Sequence, residues 1–432
     1  MANTTGTDSS KKVPADWILS ERLSRCESSP LRDVFAAIEQ PGVISFAGGL
    51  PDTQFFPDLG ECLDDSTSGS MTQQSTDTIF QYGASNGESA LRNWAADTIS
   101  ASGLAVRPEQ IIILSGSQQG IDLSAKMLID CGTAVSVFYP TYLAALQSFT
   151  LFGAHYREIT PDVEGGYRLE DSSVAYVNST FSNPTSVNLT LQQRRMLALA
   201  CDKRNTVLIE DDAYRELFYS ETDRQPVCSF LKQAGWIYLS SFSKTIAPGL
   251  RIGFMAVCEE LLPYMTRLKQ AADLHSCRLA QHCIERLLQK DEQPLRLQQL
   301  REHYRGKRDC FDAELKKNWS DIADWESPCG GMFFWLRLKY PLDIPMPEVL
   351  QEAIKHGVAF MPGEYFYPTP SFNRSTAACT SEQNRPSHQP TRMLRLNFTN
   401  ASVAEARYGL EKLAELLRNH QVVSYAGSQT PR

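Results

Sequence analysis

Residues 241–253 read SFSKTIAPGLRIG and separate two apolar runs, WIYLS (236–240) and GFMAV (253–257). Short runs that are rich in β-branched and aromatic residues, and closed by Ser, Gly or Pro, predict buried strands. A lysine that follows a buried strand can be desolvated, which lowers the pKa of its amine and favours reaction with an aldehyde. The stretch therefore predicts a chemically active Lys244 at the end of a strand.

Polar side chains around Lys244 suit a phosphate group. Ser241 and Ser243 can donate hydroxyl hydrogen bonds, and Arg251 can supply a guanidinium to a phosphate dianion. The alternative is a solvated lysine among turn residues, and a lone S-x-S-K pattern would favour that alternative. The Pro-Gly pair and the arginine seven residues after the lysine favour an aldehyde cofactor that carries a phosphate.

Four further apolar runs precede this stretch, and segments with helical spacing lie between them. The runs are IIIL (111–114), AVSVFY (134–139), VAYV (174–177) and TVLIE (206–210). This alternation predicts an α/β fold with a mostly parallel sheet that helices cover on both faces. GFMAV follows Lys244 after only a short link, so we expect that last strand to run antiparallel to its neighbours. Ligands of such sheets bind at the carboxyl ends of the strands.

The C-terminal third has a different pattern. A charged helical region from about residue 259 to 318 predicts a helix that joins two domains. Strand-like and helix-like segments beyond about residue 321 predict a smaller α+β domain. These segments are GMFFWLRL (331–338), VLQEAIKHG (349–357), MLRLNFT (393–399) and VAEARYGLEKLAELLRNH (403–420). Residues 369–392 are low in apolar content and predict a surface insertion.

Composition argues against several classes of protein. The 432 residues are 42% hydrophobic and 21% charged, which is typical of globular enzymes. The net charge of −8, with acidic and basic residues mixed, argues against a nucleic-acid partner. The sequence has no run of 18 apolar residues and no N-terminal stretch that resembles a signal peptide, so no membrane partner is expected. The eleven cysteines lack metal-ligand spacing, so we expect free thiols, a cytoplasmic protein and no metal site.

The stretch around Lys244 resembles the cofactor-lysine signature of the pyridoxal-5′-phosphate (PLP)-dependent aminotransferases of class I/II, which have fold type I. Residues 43–57, VISFAGGLPDTQFFP, are similar to the N-terminal stretch of the subgroup that contains 2-aminoadipate and kynurenine aminotransferases. Further segments resemble family motifs in the same order, so the likeness covers roughly residues 20–420. They are FQYGASNGESALR (80–92), ILSGSQQGIDL (113–123), YPTY (139–142), FSNPTS (181–186), EDDAYREL (210–217), GGMFFWLRL (330–338), VAFMPGEYFYP (358–368) and LRLNFT (394–399).

The resemblance implies a large PLP domain with a mostly parallel seven-stranded sheet and a small α+β domain. The implied limits are residues 1–60 for an N-terminal arm and part of the small domain, 61–315 for the large domain, and 316–432 for the small C-terminal domain. The resemblance also implies an enzyme that moves the amino group of an L-amino acid to a 2-oxo acid, by default 2-oxoglutarate, in a ping-pong cycle.

The resemblance assigns the chemistry to three residues. Lys244 would form an imine with PLP and, once freed, would move a proton of the substrate. Asp211 lies three residues before Tyr214, as in the family's D-x-x-Y, and its carboxylate would keep the pyridine nitrogen of PLP protonated. Tyr214 would hydrogen-bond the phenolic oxygen of PLP. The neighbouring Asp212 is expected to have no such role.

Other positions would bind the cofactor with Ser241, Ser243 and Arg251, as the resemblance also implies. Ser117 and Gln118 open a helix, and N–H groups at a helix N-terminus favour a phosphate. Asn183 would hydrogen-bond the phenolic oxygen, and Tyr142 would stack on the pyridine ring. Taken alone, the Asn-Pro pair predicts a plain turn, and Tyr142 predicts a core residue.

Tyr82 resembles the residue that reaches the phosphate from the neighbouring subunit, so the resemblance implies a homodimer. Substrate binding would fall to three further residues together with Asn183. Arg395 would hold the α-carboxylate in a bidentate ion pair, Gly49 would let the main chain approach the substrate, and Arg32 would meet its side chain. Taken alone, Arg395 predicts an exposed residue on a strand, and Arg32 predicts a surface charge on a helix.

Two features depart from the family pattern. Ser186 stands where the N-P-T-G motif has glycine, which serine replaces less readily if φ is positive. The insertion at 369–392 lies close to the path that leads to Arg395 and bears on access and specificity.

Two other functions stay open. Relatives of the subgroup include PLP enzymes that eliminate a β-substituent and cyclise an arginine derivative, as capreomycidine synthase does, and this chemistry needs the same Lys, Asp, Tyr and Asn. Aminotransferase-like transcription regulators carry a fused winged helix. About 20–40 residues precede the first family match, which is too few for such a DNA-binding module.

Overall fold

The structure is a computed structural model that describes residues 19–25, 42–58, 60, 79–163, 165–290, 293–368 and 389–422. Most of the predicted insertion, residues 369–388, lies outside the described residues, as does the N-terminal stretch up to residue 18. The surface location of that insertion stays a prediction.

The strands of the described chain fall into one large sheet and several small ones. In chain order they are β1 (Ile44–Ser45), β2 (Ile111–Leu114), β3 (Ala134–Val137), β4 (His155–Glu158), β5 (Thr160–Pro161), β6 (Tyr167–Arg168), β7 (Val174–Val177), β8 (Val207–Asp211), β9 (Trp236–Ser241), β10 (Gly253–Val257), β11 (Ala323–Trp325), β12 (Phe333–Leu338), β13 (Val358–Ala359), β14 (Met361–Pro362) and β15 (Met393–Asn397). The large sheet has seven strands in the order β2-β10-β9-β8-β7-β3-β4. Strands β4, β3, β7, β8 and β9 pair in parallel, whereas β10 is antiparallel to both β9 and β2. The predicted mostly parallel sheet and its antiparallel last strand are therefore confirmed.

All six apolar runs form strands, although AVSVFY ends as a strand at Val137. The sequence did not predict β4, because His155, Arg157 and Glu158 make it polar. This strand lies at the edge of the sheet and leaves those three side chains partly exposed. An edge strand needs no continuous apolar run, which explains the omission.

Nine α-helices lie within the described residues, and two of them begin with side-chain caps. They are α1 (Ser89–Ala101), α2 (Ser117–Leu128), α3 (Leu143–Leu151), α4 (Leu191–Arg204), α5 (Leu262–Asp273), α6 (Arg278–Gln289), α7 (Gln293–Asn318), α8 (Met346–Lys355) and α9 (Val403–His420). Capping boxes begin α4 at Thr190 and α9 at Ser402, and Asn205 ends α4 in the left-handed conformation. The helical region predicted from 259 to 318 is divided into three helices, and Leu274, with a φ of 64°, ends the first of them. No helix within the described ranges is both long and apolar enough to cross a membrane.

The large sheet carries helices on both faces, as predicted. Alternate residues of a strand point to opposite faces, so Ile111 and Ile113 join one hydrophobic cluster while Ile112 and Leu114 join another. Helices α1, α4 and α6 pack in the first cluster, and α2, α3 and α5 pack in the second. The carboxyl ends of the parallel strands are left open at one edge.

A third cluster lies around a four-stranded antiparallel sheet in the order β11-β12-β15-β14. Helices α7, α8 and α9 contribute to this cluster, and so does Phe46, which follows β1. The parallel pairing of β1 with β13 attaches the N-terminal segment to this α+β unit. The domain limits implied by the resemblance stay a prediction.

Candidate active site

An open cavity of about 570 Å³ lies at the carboxyl ends of the parallel strands. Its walls come from the ends of β7, β8 and β9 and from the first residues of α2, together with the loops that follow them. The lining residues are Ser117, Gln118, Tyr142, Asn178, Asn183, Asp211, Ala213, Tyr214, Ser241, Ser243, Lys244, Pro248 and Arg251. Ten of these were predicted as site residues, so the fold brings together residues that lie far apart in the sequence.

Lys244 follows β9 and is partly buried in the wall of this cavity. Its Nζ donates a hydrogen bond of 2.8 Å to the main-chain oxygen of Gly49. Burial lowers the pKa of Lys244 to about 8, and the positive charges of Arg395 and Arg251 act in the same direction. A lysine with this pKa is neutral in a useful fraction of molecules near neutral pH, which makes it a nucleophile and a base.

Asp211 ends β8 and is buried with one carboxylate oxygen unused. Its Oδ2 accepts a hydrogen bond from the Tyr176 hydroxyl at 2.8 Å, and Asn178 Nδ2 donates to its main-chain oxygen at 3.0 Å. Within the described residues its Oδ1 is buried and has no hydrogen-bond partner. Burial raises the pKa of Asp211 to about 6. A protonated nitrogen placed at Oδ1 would satisfy this oxygen and favour the carboxylate.

The opposite side of the cavity suits a phosphate. Ser117 begins α2, and Gly116 before it has a φ of +80°. A Cβ at Gly116 would collide with the guanidinium of Arg251, so the close approach requires glycine. Arg251 Nη1 donates to Ser243 Oγ at 3.4 Å, and the hydroxyls of Ser241 and Ser243 lie 3.0 Å apart. The helix N-terminus, two hydroxyls and a guanidinium therefore converge, which is a favourable arrangement for a dianion.

Arg395 lies on β15 and is only 4% exposed, so the prediction from its strand alone, that it faces solvent, is wrong. Its Nη1 donates to Asn183 Oδ1 at 2.6 Å, and its Nη2 donates to the main-chain oxygen of Ala47. The guanidinium carbon lies 4.1 Å from the centre of the Phe333 ring. No acidic side chain of the described residues forms an ion pair with it, its buried Nε has no partner there, and burial lowers the pKa of Arg395 to about 10. A buried guanidinium without a counterion is costly, and an anion bound to it would offset that cost.

The remaining cavity residues are aromatic or amide side chains. Asn183 Nδ2 donates to the Tyr214 hydroxyl at 3.4 Å. Burial raises the pKa of Tyr142 to about 12 and raises the pKa of Tyr214 well above its usual value, so both hydroxyls stay protonated. Gln118 lines the cavity, but its amide donates to Ser148 Oγ at 3.0 Å. That side chain is directed towards α3.

Three predicted residues of the described chain, Tyr82, Gly49 and Arg395, are not among the residues that line the cavity, although Arg395 contacts the lining residue Asn183. Tyr82 is 78% exposed, and its ring lies 5.9 Å from that of His275. Arg32 lies outside the described residues. Gly49 does not line the cavity by its own atoms, but its carbonyl holds Lys244 and its Cα lies against Phe333, because an added Cβ would be 3.2 Å from that ring.

Sequence reasoning missed three residues that the structure places at the site. Asn178 and Tyr176 hold Asp211, and Phe333 lies under Arg395. A signal existed for Asn178, because it directly follows the VAYV run and therefore sits at a strand's carboxyl end. Phe333 gave no local signal, since it is one of several aromatic residues in an apolar strand.

The residues present fit pyridoxal 5′-phosphate. Lys244 can bond its aldehyde, the unused Oδ1 of Asp211 can accept from its protonated ring nitrogen, and the cluster around Ser117 and Arg251 can bind its phosphate. These three features line one cavity at the carboxyl ends of the strands, where ligands of such sheets bind. A nicotinamide or metal cofactor would use neither the lysine nor the isolated carboxylate in this way.

Comparison with known proteins agrees with this arrangement. The family model described as aminotransferase class I and II matches residues 43–387. A 2-aminoadipate transaminase from Thermus thermophilus is 32% identical over 367 residues, which cover 82% of this chain and 90% of the relative. The solved α-aminoadipate aminotransferase of Thermus thermophilus, complexed with N-(5′-phosphopyridoxyl)-L-leucine, has a TM-score of 0.78 and 29% identity over 93% of this chain and 97% of that chain. The Pyrococcus horikoshii kynurenine aminotransferase has a TM-score of 0.79 and 29% identity with the same coverage of both chains. The chain therefore belongs to the class I and II aminotransferases and is a fold-type I enzyme that depends on pyridoxal 5′-phosphate.

Proposed function

We propose that the enzyme transfers the amino group of an L-amino acid to a 2-oxo acid, with 2-oxoglutarate as the default acceptor, in a ping-pong cycle. The observation that carries this proposal is the position of Arg395 relative to Lys244. Arg395 donates to the carbonyl of Ala47, and Lys244 donates to the carbonyl of Gly49. A cation without a counterion and a reactive amine therefore contact the same short segment, residues 47–49. An α-amino acid carries a carboxylate that can pair with the cation and, on the same carbon, the amino group that replaces the amine.

The roles of the side chains follow from their protonation. PLP, when bound, supplies an aldehyde for the amino group of the substrate and a ring that accepts electrons from the Cα–H bond. Lys244, with a pKa lowered to about 8, would take the Cα proton of the substrate at Nζ and return it at the other carbon of the C–N unit. Asp211 would hold the proton of the ring nitrogen through its free Oδ1. The Tyr214 hydroxyl and the Asn183 amide would hold the phenolic oxygen, and both side chains are buried away from water.

The substrate class rests on the same arginine. The relatives are named for 2-aminoadipate and kynurenine, two amino acids whose side chains differ greatly while their α-carboxylates are identical. Arg395 would bind that common carboxylate, while the two cations that line the cavity, Lys244 and Arg251, would serve the aldehyde and the phosphate of the cofactor. We therefore propose 2-aminoadipate, kynurenine and L-glutamate as the first amino acids to test.

The decisive experiment is product analysis by mass spectrometry on a panel of amino acids, with and without 2-oxoglutarate. We expect the donor amino acid to yield a 2-oxo acid and 2-oxoglutarate to yield L-glutamate. Over many turnovers, both products should form only when donor and acceptor are supplied together. Formation of an unsaturated or cyclic product without any acceptor would contradict transamination. That result would support elimination and cyclisation, which use the same cofactor residues.

Replacement of Arg395 by lysine is expected to lower kcat/KM while cofactor binding is retained. Lysine keeps the positive charge but cannot form two parallel hydrogen bonds to a carboxylate. Loss of a charge-assisted bidentate pair should cost on the order of 2–5 kcal/mol, which is roughly 30- to 5000-fold in kcat/KM. Steady-state kinetics with L-glutamate and the cofactor's absorbance spectrum measure the two effects.

Arg392 offers a matched control for this variant. It lies three residues earlier, and its guanidinium donates to the main-chain oxygens of Leu338 and Lys339, away from the cavity. Arg392→Lys should leave kcat/KM close to the wild-type value. An Arg395→Lys enzyme with unchanged kcat/KM would remove Arg395 from the substrate site, and a lost cofactor band would make its role structural.

We also propose a homodimer in which Tyr82 completes the active site of the partner subunit. Phe80 and Tyr82 are 75% and 78% exposed, and two large aromatic side chains so close together are typical of an interface. Tyr82→Ala should weaken cofactor affinity roughly 10- to 100-fold, the effect of one lost hydrogen bond to a charged group. Equilibrium dialysis of PLP measures the affinity, and light scattering measures the oligomeric state.

Hybrid dimers test whether Tyr82 acts across subunits. When Tyr82→Ala and Lys244→Ala chains are mixed, half of the dimers are hybrids, and each hybrid has one site with both residues intact. The mixture should recover about a quarter of the wild-type activity. Recovery would fail if Tyr82 served its own subunit, and an active monomer in solution would contradict the dimer itself.

We propose a cytoplasmic location on chemical grounds. The cysteines of the described residues are free thiols, and several of them, such as Cys201 and Cys228, are buried. Free thiols persist in a reducing compartment. Disulfide bonds in the protein isolated from its native cells would argue against the cytoplasm.

A further inference from the structure

Ser186 occupies a backbone conformation that favours glycine. Its φ is +54°, in the left-handed region, where a side chain is disfavoured. Its main-chain N–H donates to the Ser182 carbonyl at 2.6 Å, which closes the turn that contains Asn183. The family pattern has glycine at this position, and the positive φ at which serine fits less readily is observed. A serine here needs a compensating interaction.

The hydroxyl of Ser186 provides such an interaction with another part of the chain. Its Oγ donates a hydrogen bond of 2.9 Å to the main-chain oxygen of Phe333, the first residue of β12. Both residues are buried, at 5% and 0% exposure, so no water replaces this donor freely. A glycine would remove the strain but would leave the Phe333 carbonyl without the hydroxyl.

Phe333 and Arg395 are neighbours across two antiparallel strands. In the register of β12 and β15, Phe333 lies opposite Asn397, and Trp335 lies opposite Arg395. The ring of Phe333 and the guanidinium of Arg395 are therefore diagonal neighbours on one face of the sheet. The guanidinium carbon is 4.1 Å from the ring centre, which is a close cation–π contact.

The turn around residues 183–186 holds both members of this stack. Asn183 Oδ1 accepts from Arg395 Nη1 at 2.6 Å, and Ser186 Oγ donates to the main chain of Phe333. The turn therefore holds the Arg395 guanidinium through its first residue, Asn183, and holds the main chain of Phe333 through its last residue, Ser186. A shift of Phe333 would move the plane on which the guanidinium rests.

We propose that Ser186 is a positioning residue for the substrate carboxylate, acting through the Phe333 ring on the Arg395 guanidinium. This proposal rests on the proposed function, in which Arg395 binds that carboxylate. The hydroxyl of Ser186 is already bonded to the Phe333 carbonyl, so its effect on the substrate passes through Phe333. The same hydrogen bond links β12 to the turn that contains Asn183.

Two substitutions separate the hydrogen bond from the backbone strain. Ser186→Ala loses the hydroxyl and keeps the unfavourable φ, whereas Ser186→Gly loses the hydroxyl and relieves the φ. We expect both variants to raise the KM for L-glutamate by a similar factor, roughly 2- to 10-fold, the effect of one lost neutral hydrogen bond. We expect kcat and the cofactor spectrum to change little. Thermal unfolding should nevertheless distinguish them, with the glycine variant the more stable of the two.

A double-mutant cycle with Arg395→Lys completes the test. If Ser186 acts through Arg395, the KM effect of Ser186→Gly should disappear in the Arg395→Lys enzyme, whereas a general structural effect would add to it. Additive effects on KM would overturn the positioning role of Ser186 and leave the carboxylate site of Arg395 standing. The same holds if Ser186→Gly has the wild-type KM while Arg395→Lys is impaired. An Arg395→Lys enzyme with wild-type KM would instead show that the proposed carboxylate site itself is wrong.

Discussion

Replacement of Lys244 by alanine should abolish turnover, with a fall in kcat of roughly four orders of magnitude or more. The side chain has two tasks, since its amine bonds the cofactor's aldehyde and then transfers a proton, and proton transfer by a positioned group alone is worth about 10²- to 10⁴-fold. No other lysine lines the cavity among the described residues. The measurement is single-turnover and steady-state kinetics of the purified variant reconstituted with PLP.

A chemical test accompanies the kinetics. Borohydride should trap the cofactor covalently in the wild-type enzyme, and peptide mapping should place it on Lys244. Lys244→Arg keeps a positive charge of similar length but has no nucleophilic amine at neutral pH, so it should be neither labelled nor active. Lys232→Ala, a change at an exposed lysine, should behave as wild type. Covalent label at another lysine of the Lys244→Ala enzyme would disprove the assignment.

Replacement of Asp211 by asparagine should lower kcat by roughly four orders of magnitude and leave PLP binding measurable. An amide cannot hold a proton on the ring nitrogen, and a loss of this size is expected when an amide replaces the carboxylate that sets its partner's protonation. The fold should survive, because Tyr176 can still donate to an amide oxygen in the place of Oδ2. Kinetics at saturating PLP and the pH dependence of the cofactor's absorbance measure the effect.

Asp212 is the matched control for this variant. It is as buried as Asp211 and adjacent to it, but its Oδ2 accepts from the Tyr238 hydroxyl at 2.8 Å and pairs with Arg215 at 3.2 Å, away from the cavity. Asp212→Asn should reduce stability, since it removes the buried carboxylate charge that faces Arg215, and it should change kcat far less than Asp211→Asn. If Asp212→Asn lowered kcat more than Asp211→Asn, the carboxylate that serves the ring nitrogen would be Asp212, and the assignment of Asp211 would be wrong by one residue.

Much of the large sheet could be predicted because its strands are apolar on both faces. The runs at residues 111–114, 174–177 and 253–257 coincide with strands in the structure, since each needs an uninterrupted apolar segment to fit between two helical layers. The polar edge strand β4 lacks that requirement and was missed. The division of residues 259–318 into three helices was also missed, because Leu274 ends α5 with a positive φ that its residue type does not announce.

The candidate site was predictable where a residue's role is local. Lys244, Asp211 and Ser117 each follow an apolar run, and the end of a parallel strand is where ligands bind, so their positions along the chain indicate their place in the fold. Tyr176 and Phe333 could not be identified in this way, since each is one aromatic residue within an apolar strand. Only their contacts with Asp211 and Arg395 distinguish them from core residues.

The sequence by itself determined the fold class and the strand that presents Lys244, because short-range patterns of burial and turn chemistry specify these features, and its motifs resembled those of the family to which the chain belongs. The tertiary structure alone decided what the side chains do once assembled. Arg395 is a buried cation whose hydrogen-bond acceptors come from Asn183 and Ala47. These two residues lie 212 and 348 positions away from it in the sequence. Ser186 acquired a partner 147 positions away, and Asp211 kept one oxygen free. Desolvation and hydrogen-bond geometry depend on which distant groups meet in space, and no local pattern of residues encodes that meeting.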